Sequence, residues 1–114
     1  MKNLIIIALM LFGIATQAQD KKNKNLKYTV EVNGNCEQCK KRIEKAAYAV
    51  HGIKTASWDI GTHQLSVILN EEKCSTDDLN KAIAKAGHDT KEAKAKQEDY
   101  DKLHSCCKYD RTEL

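Results

Sequence analysis

Apolar and polar positions set the outline of the chain before any single residue does. Leu26, Tyr28, Val30 and Val32 alternate with Lys27, Thr29 and Glu31, the period of two that marks a strand with one buried face. The period then changes. Ile43, Ala46 or Ala47, and Val50 recur at helical spacing, with Lys40, Lys41, Arg42, Glu44 and Lys45 on the other faces. This predicts an amphipathic helix that starts near Cys39 and is closed by His51 and a left-handed Gly52. Two further strands follow, with apolar positions at Ala56, Trp58 and Ile60 and at Leu65, Val67 and Leu69. Gly61, Thr62 and His63 supply a hairpin turn between them. A second helix opens at Ser75 or Thr76 as cap, carries the stripe Leu79, Ala82, Ile83 and Ala86, and stops at Gly87. His88, Asp89 and Thr90 are poor strand formers, so a closing strand there is expected to be short and on an edge.

The order β-α-β-β-α-β predicts an α+β, ferredoxin-like domain: a four-stranded antiparallel sheet with both helices on one face. Residues 27–90 form that domain. Residues 1–18 read as an export signal, with Lys2 ahead of the apolar run Leu4 to Ile14 and small residues Thr16 and Ala18 at the cleavage site. Residues 19–26 read as a flexible leader. Residues 91–114 form a polar linker, or a short helix, that ends in a Cys-Cys tail able to dock.

Lys+Arg number 19 against 16 Asp+Glu, and the formal net charge is +3. That balance, without interleaved aromatics, argues against a nucleic-acid partner. The five cysteines are Cys36, Cys39, Cys74, Cys106 and Cys107. An odd count that includes a C-x-x-C and an adjacent pair suits thiol chemistry better than a disulfide framework. Cys36 falls in the loop before the first helix and Cys39 in its first turn, so both sulfurs can face one soft metal ion or each other. The helix N-terminus favours thiolate in either case. At this level metal binding and dithiol redox chemistry both stand.

The run Val32 to Ala46, with Asn33-Gly34-Asn35-Cys36-Glu37-Gln38-Cys39 at its centre, then Val50-His51-Gly52-Ile53 and Ala82-Ile83-Ala84-Lys85-Ala86-Gly87-His88, resembles the heavy-metal-associated domain over residues 27–90. That family includes small copper chaperones, metal-binding modules of copper- and zinc-transporting ATPases, and the periplasmic mercury-binding protein. The resemblance implies that Cys36 and Cys39 bind a soft ion and pass it to a partner by ligand exchange. It also implies no covalent catalysis. Cu(I) comes first because two thiolates satisfy it; Hg(II), Zn(II) and Cd(II) are competitors. The implied partner is a metal-transporting membrane protein or another metal-binding domain. The chain itself is expected to be a monomer, exported to the periplasm or cell envelope and not embedded in the membrane. Family members commonly carry Met two residues before the first Cys, packed beneath the loop. Gly34 stands there in this chain, which predicts a looser loop.

Further candidates lie around this pair. His88, on the loop that faces the metal site in the family, is a candidate additional ligand or a support for one. His104, Cys106 and Cys107 can fold back to add ligands or bind a second ion. Cys74 reads as core filler. Lys40, Lys41, Arg42 and Lys45 put positive charge beside the thiols, as a solvated face or as a docking surface for an acidic partner. Two alternatives share these residues: a thiol–disulfide oxidoreductase in which Cys36 attacks and Cys39 resolves, and a scavenger or sensor closed by the C-terminal pair.

Overall fold

The computed structural model describes residues 22–111; the export segment expected over residues 1–18 lies outside them. Its elements are β1 (Leu26–Glu31), α1 (Glu37–Tyr48), β2 (Ile53–Trp58), β3 (Gln64–Leu69), α2 (Thr76–Lys85), α3 (Gln97–Asp101) and a 3-10 turn at Ser105–Cys107. The sheet is antiparallel with order β1-β3-β2. Its register aligns Val30, Leu65 and Trp58 across the three strands, and Tyr28, Val67 and Ala56 one step along. This row alternation turns Val30, Ala56, Trp58, Leu65, Val67 and Leu69 into one buried face while Lys27, Thr29, Ser57 and Ser66 stay exposed. Cys39, Ile43 and Ala47 of α1 and Leu79 and Ile83 of α2 join that face in a single core.

The sheet has three strands where the sequence pattern predicted four. Only an isolated antiparallel bridge, Val32 to Thr90, marks the closing strand. It is flanked by Asn33 N–H to Asp89 O at 2.9 Å and Lys91 N–H to Glu31 O at 2.9 Å. The reason lies in the side chains that follow Gly87. Thr90 Oγ1 accepts the N–H groups of Glu92 and Ala93, and the Asp89 carboxylate accepts that of Ala95. These local bonds curl the backbone away from the sheet edge, as short polar side chains do when they compete with a ladder.

The other boundaries have equally local causes. β2 ends at Trp58 because the Asp59 carboxylate accepts from the Thr62 N–H and hydroxyl, closing the hairpin with His63 at φ +63°. Ser75 and Asp78 form a reciprocal capping box at the start of α2. Gly87, at φ +104°, closes α2 with the Gly87 N–H on Ala84 O and the His88 N–H on Ile83 O, a Schellman end. Helix α1 stops earlier than its pattern suggested, at Tyr48. Gly52 takes its positive φ of +110° four residues later, where a Cβ would meet Cys74 Sγ at 2.8 Å. Cys74 is buried there as core filler.

After Thr90 the chain becomes a docked strap. Ala95, Leu103, Cys107 and Tyr109 are buried. The Tyr109 hydroxyl donates to Gly87 O and accepts from the Asp89 N–H, both at 2.8 Å. Arg111 pairs its Nε and Nη2 with the two oxygens of the buried Asp89 carboxylate and adds Ala95 O. The bidentate geometry, with the carboxylate buried and the guanidinium partly exposed, fixes the end of the strap against the domain. At the other end of the chain, Asn23 exchanges two bonds with Glu71, which ties the last residues of the leader down next to β1.

Candidate metal centre

The loop between β1 and α1 is held from two sides. Asn33 donates its N–H to Asp89 O, and its carbonyl accepts from His88 Nδ1 at 2.8 Å. Beneath Gly34 lies the indole of Trp58: a Cβ at position 34 would stand 3.0 Å from Trp58 Cη2 and 3.1 Å from Cys39 Cβ. The ring is itself anchored, with Nε1 donating to Val32 O and His63 O. Gly34 therefore leaves no gap beneath the loop. Trp58 fills the volume beneath the loop, and glycine is what lets it approach.

Cys36 caps α1 from an extended backbone and Cys39 is the third residue of the helix, so the first turn brings their sulfurs to 3.2 Å. Burial pushes the Cys36 thiol up, but the Cys107 and Cys39 thiols at 3.1 and 3.2 Å from its sulfur, and the Cys39 and Gln38 N–H groups near it, outweigh this, leaving it lowered to about 7. Those backbone donors are the free N–H groups of the helix start. Cys39 goes the other way, to about 12, because it is buried and because Cys107 and Cys36 leave it the proton-bearing partner. Its sulfur faces Asn35 Oδ1 at 3.4 Å. One sulfur of the pair thus ionises near neutral pH, and the other holds its proton there.

The strap brings more sulfur to the same place. Cys107 is buried with Sγ 3.1 Å from Cys36 Sγ, and Cys106 Sγ lies 3.8 Å from that of Cys107. The sulfurs of Cys36, Cys106 and Cys107 all lie within 4.8 Å of one another, the one such set of potential ligands found among the described residues. Cys106 is exposed and contacts Gln38 Oε1 at 3.3 Å, pinning the strap to the first turn of α1. All five thiols are free.

The two histidines proposed as additional ligands are not in this set. His88 is fully buried, with Nδ1 on Asn33 O, Nε2 3.4 Å from Arg42 Nη1, and its ring stacked 5.5 Å from that of Tyr109. Burial, with the Arg42 cation adding to it, lowers its pKa to about 4 against the opposing pull of Asn33 O. It is a neutral strut between the loop, α1 and the strap. His104 is exposed and gives the 3-10 turn its starting carbonyl, which accepts from the Cys107 N–H. The basic face is also partly used: Lys40 binds Glu44 and Trp58 O, and Arg42 faces His88, leaving Lys41 and Lys45 exposed. Trp58, Tyr109 and Gln38 were missed as builders of the site. An absent side chain at Gly34 and an aromatic two positions after Cys107 in an otherwise polar tail were the available signals.

The family model described as heavy-metal-associated domain matches residues 29–89, more than half of the chain. The chain belongs to the heavy-metal-associated domain family. Within it, copper chaperone CopZ of Staphylococcus haemolyticus is 29% identical over 63 residues, spanning 54% of this chain and 93% of its own. Oxidized MerP from Ralstonia metallidurans CH34 superimposes with TM-score 0.56 at 30% identity, covering 58% of this chain and 93% of MerP. A copper binding domain from HMA7, a P-type ATPase, gives TM-score 0.56 at 26% identity over 57% of this chain and 89% of that one. The heavy-metal-associated domain thus carries Cys36 and Cys39, while the strap with Cys106 and Cys107 lies beyond the matched residues.

Proposed function

We propose that this protein captures a soft metal ion, Cu(I) first, at Cys36 and Cys39 and passes it to a partner by thiolate exchange. The observation that carries this reading is the Cys36–Cys39 pair, 3.2 Å apart at the start of α1, in a domain of this family. Cys36, its pKa near 7, meets the ion as thiolate; Cys39 then loses its proton to solvent as the second sulfur binds. Soft thiolates favour Cu(I), and Hg(II), Zn(II) and Cd(II) compete for the same donors. The partner is a metal-transporting membrane protein or a second metal-binding domain whose thiols take over the ion one ligand at a time. Exposed Lys41 and Lys45 beside the site suit an acidic face on that partner. The work is placed outside the inner membrane, following the export signal expected over residues 1–18.

A dithiol redox role is the competing reading, favoured by the lowered Cys36 pKa beside a protonated Cys39. One experiment separates the two. Reduced protein loaded anaerobically with Cu(I) is mixed with the apo metal-binding domain of a copper-transporting ATPase, and the copper on each is measured after separation. Redistribution of copper, with no turnover in a disulfide-reduction assay, is the expected result. Disulfide reduction by metal-free protein that acquires no copper would contradict the proposal.

A further inference from the structure

Besides the Cys106 contact with Gln38, the strap is positioned by bonds that do not involve sulfur. Tyr100 Oη donates to Tyr109 O at 2.6 Å, the Tyr109 hydroxyl links Gly87 and Asp89, Arg111 clasps Asp89, and Leu103 lies against Gly87. These contacts deliver Cys107 to Cys36. Two more features point to a ligand. Cys107 is fully buried with its sulfur facing Cys36, and Cys106 stands exposed beside it, completing a set of three sulfurs within 4.8 Å. Thiolates that share an ion with metal–sulfur bonds of about 2.3 Å lie roughly 3.8 to 4 Å apart. The Cys36–Cys107 and Cys36–Cys39 spacings of 3.1 and 3.2 Å open to that range with small side-chain rotations, and Cys106 stands 3.8 Å from Cys107 on the solvent side.

Resting on the reading of Cys36 and Cys39 as the capture pair, we infer that Cys107 is a third thiolate ligand to the same ion, with Cys106 as the exposed sulfur through which the ion enters and leaves. The occupant is a thiophilic ion that accepts three sulfurs, Cu(I) among them. Binding displaces the thiol protons to solvent and transfers no electron. A third sulfur changes what the site does. Two thiolates on an open loop release an ion as soon as a competing thiol arrives, whereas a site closed by the strap holds it until one arm opens. Cys106, on the solvent side, offers the place for that opening.

The test is the sulfur count around Cu(I), by X-ray absorption on the reduced protein loaded anaerobically with one equivalent. Three sulfurs are expected in the wild-type protein and two, at shorter Cu–S distance, in Cys107→Ser. Cys107→Ser is also expected to yield its copper to a competing chelator about tenfold more readily. Cys106→Ser is expected to keep three sulfurs and to exchange more slowly. Two sulfurs in the wild-type protein overturn the inference whatever the variants do, and leave capture by Cys36 and Cys39 standing. Failure of the wild-type protein to bind Cu(I) overturns both.

Discussion

Cys107 Sγ lies 3.1 Å from Cys36 Sγ although 71 positions separate them in the chain. A segment outside the family match thus reaches the residue at the centre of the family's site. The route runs through Asp89, whose backbone holds the thiol loop at Asn33 and whose carboxylate holds Arg111 at the far end of the strap. Loop and strap are two sides of one structure, and the following outcomes depend on that.

Removing Arg111 leaves the fully buried Asp89 carboxylate with only the Ala95 N–H. Arg111→Ala is expected to destabilise the protein by about 2 kcal/mol, discounted from a fully buried pair because Arg111 is partly exposed. Hydrogen exchange checks where the loss falls: amides at Cys107 and Tyr109 should exchange faster while those of β3 keep their order of protection. Unchanged exchange in the strap would contradict its anchoring by Asp89.

Gly34→Met restores the residue common in the family but places it against the Trp58 indole, where even a Cβ would stand at 3.0 Å. A loss of about 1 to 3 kcal/mol in denaturant unfolding is expected from overpacking. Combining it with Trp58→Leu should cost less than the two single changes together, because the smaller side chain frees the space that Met needs. Simple additivity would show that the two residues do not share that volume.

This pair also shows where the sequence was readable and where it was not. The alternation of Leu26 to Val32, the stripe of α2 and the Ser75 and Gly87 ends are local signals, and each placed its element within a few residues. The C-x-x-C loop was equally local. Trp58 beneath Gly34 is a contact between different elements, and a missing side chain does not say what fills the gap. The closing strand failed for a similar reason: Asp89 and Thr90 spend their side chains on partners in the strap and its turn, and nothing in the propensities of three residues records that. The strap itself lacks a hydrophobic period. Its docking rests on single residues, Leu103, Cys107, Tyr109 and Arg111, each matched to one spot on the domain. For the histidines, position along the chain brought His88 near the loop, but burial and Arg42 turned it into a support.

His88 supplies a pH dependence. Its pKa is about 4 in the folded chain against an ordinary 6.5, so between those values the unfolded chain takes up a proton that the folded one refuses. Its contribution is fully present above pH 6.5 and falls as pH drops towards 4, by about 3 kcal/mol over the window. Asp89, lowered against burial by the Arg111 hydrogen bonds, adds a loss in the same direction at still lower pH. Denaturant midpoints from pH 7 to 4 should show this slope, and His88→Gln should flatten the upper part of it. A slope unchanged in His88→Gln would place the titration elsewhere.

The thiols should separate by reactivity in metal-free, reduced protein. Cys36, near 7, is expected to alkylate first, with a rate that rises through neutral pH; buried Cys39, near 12, should lag far behind. Exposed Cys106, raised by its hydrogen bond to Cys107, should react more slowly than Cys36 at pH 7 despite its access to solvent. Mass spectrometry of quenched samples reads the order directly. Cys106 labelled ahead of Cys36 would contradict the activation of Cys36 by the Cys107 and Cys39 thiols and the helix start.

Cys36 belongs to both the loop pair and the strap set, so copper stoichiometry in Cys36→Ser tests the account at its centre. Reduced wild-type protein titrated anaerobically with Cu(I) should retain about one ion per chain through desalting, as expected for a thiolate site, and Cys36→Ser should retain almost none while keeping its fold by circular dichroism. Equal retention by the folded variant and the wild-type protein would contradict a soft-metal site built on Cys36.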